Sequence, residues 1–155
     1  MEYVVWKWLH VLSSTLLFGA GLGTAFFMFF ANRTGEVRAI AVVTRYVVIA
    51  DTLFTLPTVI FQPLSGYMLM QLAGIPLLTE WIWISFALYF VAGLCWLPVV
   101  WLQLQMRDIA TETAMGGAPM LPARYWRYER IWVVLGIPAV TALVIVFYLM
   151  IAKPT

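Results

Sequence analysis

WIWISFALYFVAGLCWLPVVWLQLQ, residues 81–105, runs its whole length without a charged side chain. Crossing ~30 Å of hydrocarbon takes about 20 helical residues at ~1.5 Å each, so this stretch is long enough to span a bilayer. Lipid offers no partner to an unpaired backbone amide, which makes helix the expected conformation. Pro98 removes one backbone donor and predicts a kink. The two glutamines, Gln103 and Gln105, are close to one end.

Reading outward, three further apolar stretches of the same kind appear. The four spans cover about 3–31, 37–72, 80–110 and 125–152. Breakers cluster between them, in NRTGE (32–36), AGIP (73–76) and MGGAPMLP (115–122). Spans two and three exceed what a membrane requires, so their excess is expected to tilt or to project beyond it. Pro57, Pro63 and Pro138 add three expected kinks to that at Pro98. The expected fold is all-α: a polytopic four-transmembrane-helix bundle with kinked helices, forming a single transmembrane domain over residues 1–155.

Composition agrees. Of the 155 residues 64% are hydrophobic and 10% charged, where soluble domains run near a quarter charged. The net charge of +2 is small and the bases are spread among segment ends, which argues against a nucleic-acid surface. Cys95 is the lone cysteine and says nothing of redox compartment. With no basic leader and no small-residue cleavage site close behind the first apolar run, that run is expected to be retained.

Arg33, Arg38 and Arg45 flank the first break, and Arg107, Arg124, Arg127 and Arg130 the third. Only Lys7 and Lys153 fall on the opposite side. The positive-inside rule then places both termini outside the cytoplasm, in a multi-pass protein of the cell's inner membrane. Trp6, Trp8, Trp81, Trp83, Trp126 and Trp132 lie near span ends, as an interfacial belt would.

Polar residues inside the spans are the candidates for chemistry, because each is costly to bury in lipid. His10, the only histidine, shares a helix face with Lys7, Ser14, Leu17 and Gly21. It suits two roles: a metal ligand, or an interfacial histidine bonded to a carbonyl or water. As a haem-iron ligand it would need a second ligand from methionine, from water or from another subunit, and Met68 and Met70 are the thioethers on its side. Gly19 and Gly23 form a G-x-x-x-G pair suited to close helix packing, including that of a homo-oligomer or a membrane partner.

Span two carries a polar stripe, Thr44, Asp51, Thr55, Thr58, Gln62 and Ser65, at spacings of seven, four, three, four and three. Such a stripe is expected to face the bundle interior. Asp51 is the one acid well inside a span, and an arginine from span four is its expected partner: Arg45 lies about 240° around the helix from it. Arg124, Arg127 and Arg130 form a collar suited to lipid headgroups or to carboxylates such as haem propionates. No CxxC, HExxH or Walker loop is present, so nothing in the residues alone establishes an enzyme.

KWLHVLSSTLLFGAG (7–21) resembles the first helix of the HemJ-type membrane protoporphyrinogen oxidases, and RYWRYERIWVVLGIPAVTALVIVFYLMIAKP (124–154) resembles their last. The whole chain, including WIWISFALYFVAGLCWLPVVWLQLQMR (81–107), is more similar still to a domain-of-unknown-function family of small integral membrane proteins. CopD-like membrane domains resemble that family more distantly. The resemblance implies a membrane bundle and, through the HemJ-type proteins, haem b held at His10. Span three lacks the histidine and lysine typical of those oxidases, so the oxidase activity is not implied.

Three readings follow. One is a haem b-binding, redox-associated protein with His10 as axial ligand and Lys7, Arg127 and Arg130 completing the cofactor site. Another is a non-enzymatic scaffold or accessory subunit. The third is a small transporter or proton-conducting module centred on Asp51, Thr55, Thr58 and Gln62.

Overall fold

The computed structural model describes residues 1–154, and it is all-α. Four helices carry the chain: α1 (Glu2–Thr34), α2 (Val37–Leu72), α3 (Glu80–Met115) and α4 (Ala123–Ala152). Each is long and apolar enough to cross a membrane. At ~1.5 Å per residue every one exceeds ~30 Å, so their ends reach the interfaces.

The helices run alternately up and down, which brings both termini to one side. There Lys153, at the end of α4, lies over the Trp81 ring of α3, 5.7 Å from its centroid. On the other, arginine-rich side, α1 and α2 are joined by only Gly35 and Glu36. That reversal needs a left-handed residue, and Gly35 supplies it at φ 69°, its N–H donating to the Asn32 carbonyl at 3.3 Å. Each helix packs against its neighbours in the chain. α1 and α4 close the ring through Phe18 and Phe147, whose rings meet edge-on with centroids 5.4 Å apart.

The exterior is apolar. Phe27, Leu53, Phe90, Leu97, Val134 and Tyr148 are all more than half exposed. In water this would be a severe liability, whereas in lipid it is the matching surface. Towards the arginine-rich side Met28, Ile40, Leu102, Met106, Tyr125 and Trp132 pack together. Hydroxyls along the helices are satisfied locally: Thr44 donates to Ile40 O at 2.8 Å, Ser85 to Trp81 O at 2.6 Å and Thr141 to Ile137 O at 2.8 Å.

α2 is not a uniform α-helix. Residues Asp51–Thr55 form a π turn, and the Leu56 N–H reaches back to the Asp51 carbonyl, five residues away. The cause lies just beyond it. Pro57 has no N–H, and its ring would collide with the carbonyl four residues earlier, that of Leu53, in a regular helix. Widening the preceding turn relieves that collision while keeping a neighbouring N–H bonded, as the bilayer interior demands. The kink expected from Pro57 therefore takes the form of a π turn around the one intramembrane acid. Pro63, Pro98 and Pro138 all lie inside continuous helix.

Candidate functional site: polar clusters inside the bundle

The polar stripe of α2 divides between two clusters at different depths. Towards the termini, His10 of α1 is seated against one turn of α2. Gln62 Nε2 donates to Nε2 of the imidazole at 3.1 Å. Nδ1 therefore carries the proton and donates to Ser65 Oγ at 2.7 Å. Ser65, fully buried, donates onward to Phe61 O at 2.9 Å. Gly66 lies against the ring edge: a Cβ there would come within 3.4 Å of His10 Cε1. One turn before the histidine, Trp6 stacks on Phe61, with centroids 6.1 Å apart and planes 15° from parallel.

Deeper in the bundle is the Asp51 cluster. Asp51 is buried, and its Oδ1 accepts from Thr55 Oγ1 at 2.9 Å and, more weakly, from Thr24 Oγ1 of α1 at 3.5 Å. Gln103 of α3, also buried, turns its side chain toward the same carboxyl. Three helices thus converge on one acid. Thr58 stays on its own helix, bonding Phe54 O at 2.6 Å and Thr55 O at 2.9 Å.

The arginine expected to pair with Asp51 is not there. The ion pairs among the described residues are Arg33–Glu129 and Arg107–Asp108. Depth explains it: Arg127 and Arg130 lie in the first turns of α4, level with Asn32 and Arg33 at the end of α1. Asp51 is level with Thr24, roughly 12 Å further in along α1.

The same geometry separates the residues expected to hold haem. His10 is 22 positions from Asn32, roughly 33 Å along α1, so Arg127 and Arg130 are near one face of the bundle and His10 towards the other. Lys7 is exposed, its ammonium 6.0 Å from the Tyr3 ring centroid. The imidazole is flanked by Gln62, Ser65 and Gly66. A haem-ligating histidine anchors Nδ1–H and presents a free Nε2. Here the first condition is met, but Nε2 is already taken by Gln62. The structure does not bring the four residues together: Lys7 and His10 lie towards the termini, Arg127 and Arg130 towards the arginine-rich side.

A third cluster was missed in the sequence, where it looked like part of the arginine collar. Tyr125 and Glu129, one turn apart on α4, point inward. Tyr125, wholly buried, donates its hydroxyl proton to Asn32 Oδ1 at 2.7 Å. Glu129 is 4% exposed, its Oε1 3.5 Å from Arg33 Nη2 without hydrogen-bond geometry. Asn32 Nδ2 is likewise buried without a partner. The inward phase of Glu129 was available from Tyr125, four residues earlier on the same helix face.

Four long helices with an apolar exterior and buried polar clusters define a polytopic integral membrane protein. More narrowly, residues 4–154 match the family described as "Predicted integral membrane protein (DUF2269)", and the chain belongs to it. No curated protein and no solved structure matches the chain.

Proposed function

We propose that this protein is a small proton-conducting or proton-coupled transport module of the inner membrane, with Asp51 as the group that takes up and releases the proton. The observation that carries this is the isolation of Asp51. It is an acid in the middle of a membrane span, bonded to hydroxyls, with no cation of the chain within ion-pair reach among the described residues. Charge in such a place is expensive, so it must be balanced from outside the chain, by a proton or a cation. Its π turn adds weight, because such turns recur at functional positions in helices. The hydroxyls of Thr55 and Thr24 can act toward the carboxyl as donors or acceptors, which suits a group that alternates between two protonation states.

The seven arginines on one side against two lysines on the other orient both termini away from the cytoplasm. Towards the termini the His10–Gln62–Ser65 cluster is the next polar station, roughly 21 Å along α1 from Thr24. Leu17, Ser13 and Thr58 are buried between the two levels.

The test is proton flux into liposomes carrying the purified protein, driven by a potassium diffusion potential and followed with an enclosed pH dye. Flux above protein-free vesicles that disappears in Asp51→Asn is the expected result. A wild-type rate equal to that of protein-free vesicles refutes the proposal.

A haem protein is the second reading, favoured by one feature: the Nδ1–H of His10 is anchored on Ser65, as a ligating histidine requires. It would require Gln62 to release Nε2.

A further inference from the structure

We propose that Glu129, with Asn32 and Tyr125, is a second proton-exchange station, through which Asp51 communicates with the arginine-rich side, and that Arg33 is its latch. This rests on the reading of Asp51 as a proton carrier and extends it to the group that must serve it from that side.

Two observations meet at one place. A carboxylate oxygen, Glu129 Oε1, and an amide donor, Asn32 Nδ2, are both buried and both without a hydrogen bond. Polar atoms without hydrogen bonds are rare in folded interiors because each forfeits the bonds it made to water. A donor and an acceptor without hydrogen bonds beside the same tyrosine form a seat for a water, which can accept from one and donate to the other. Tyr125 fixes the seat by holding Asn32 from the other side at 2.7 Å.

Arg33 supplies the control. Its side chain is 56% exposed while that of Glu129 is 5% exposed, so the pair bridges the bundle interior and the aqueous edge. The guanidinium also lies on the Phe29 ring, 4.4 Å from its centroid, which holds it beside α1 while it faces the carboxylate. The charged and titratable groups facing Glu129 are Arg33 of α1 and Tyr125 of its own helix. The buried side chains that α2 and α3 contribute around Tyr125, namely Val37, Ile40, Met106 and Ala110, are uncharged. The exchange step is a simple proton transfer. As the guanidinium withdraws, an O–H bond forms at Glu129 Oε1 and the proton leaves a hydronium ion, which becomes water. The return step restores the carboxylate and the ion pair.

Below the station, Thr24 and Asp51 lie roughly 12 Å further along α1, beyond the buried Met28. Transfer across that apolar layer requires water to enter it, so the two carboxyls do not exchange freely in the closed arrangement.

The experiment is the liposome flux assay with wild type, Asp51→Asn, Glu129→Gln, Glu129→Asp and Arg33→Gln. The expected result is loss of flux in Glu129→Gln to the protein-free rate, its return in Glu129→Asp, and a faster rate in Arg33→Gln. Wild-type flux that is lost in Asp51→Asn but kept in Glu129→Gln overturns this inference and leaves the reading of Asp51 standing. Wild-type vesicles no faster than protein-free ones overturn both. If Glu129→Gln does not fold, Arg33→Gln decides: an unchanged rate means that Arg33 is no latch, and the inference fails.

Discussion

Nδ1 of His10 lies 2.7 Å from Oγ of Ser65, a bond between residues 55 positions apart that joins the first helix to the second within the bilayer. Interhelical hydrogen bonds in membranes contribute about 0.6–2 kcal/mol each. Ser65→Ala should therefore destabilise the protein by about 1 kcal/mol, in a reversible unfolding assay in detergent or bicelles. The onward bond of Ser65 is to its own helix, so its loss should leave the remaining helices intact.

Gly66 is constrained from the same side. A methyl group there would press on the imidazole edge at 3.4 Å, so Gly66→Ala should be tolerated with a small shift of the ring. Gly66→Val adds bulk that the seat cannot take, and a loss of about 1–3 kcal/mol is expected. Thermal unfolding of both variants beside wild type checks the order: Ala near wild type, Val clearly below it.

The haem reading has its own measurement. With both imidazole nitrogens bonded within the chain, protein purified after expression with haem supply should show no Soret or α band in a reduced-minus-oxidised spectrum. Bands that are present and vanish in a folded His10→Ala would establish haem at His10 instead.

Tyr125 and Asn32 should behave as a coupled pair. Tyr125→Phe leaves the Asn32 carbonyl buried without its donor, a cost of about 1–3 kcal/mol. Asn32→Leu alone strands the tyrosine hydroxyl. The double variant should lose less than the sum of the two, and unfolding free energies of all four proteins close the cycle.

Topology can be read with reporters. A fusion partner that matures only outside the cytoplasm should be active after Lys153 and silent when inserted at Gly117, between α3 and α4. The reverse pattern would invert the orientation argued from the arginines.

Hydropathy made the four helices legible, because a charge-free stretch such as 81–105 admits few other readings. Asp51 was legible for the same reason, as the one acid deep in an apolar run. Its surroundings were not. Spacing along α2 says which residues share a face but not which part of another helix lies opposite. Depth was the overlooked signal: Asp51 is 14 residues beyond Val37, whereas Arg127 is four beyond Ala123, and both helices start from the arginine-rich side. Pro57 marked the place of a backbone irregularity, yet a π turn and a kink share that signal. Glu129 was hidden by its company, since an acid among Arg124, Arg127 and Arg130 reads as a surface residue until the helix phase is followed inward.

The two-residue connection at Gly35 and Glu36 bears on how the molecule is put together. So short a link makes α1 and α2 a hairpin, able to enter the bilayer as a unit with His10 already docked on Gln62 and Ser65. The second hairpin, α3 and α4, then has to find the first in a solvent as oily as its own surface, where apolar matching discriminates poorly. What distinguishes the right docking from a sliding one is polar: Gln103 toward Asp51, Tyr125 toward Asn32 and Glu129 toward Arg33. The groups proposed to move protons are therefore also the address labels by which one half of the protein recognises the other.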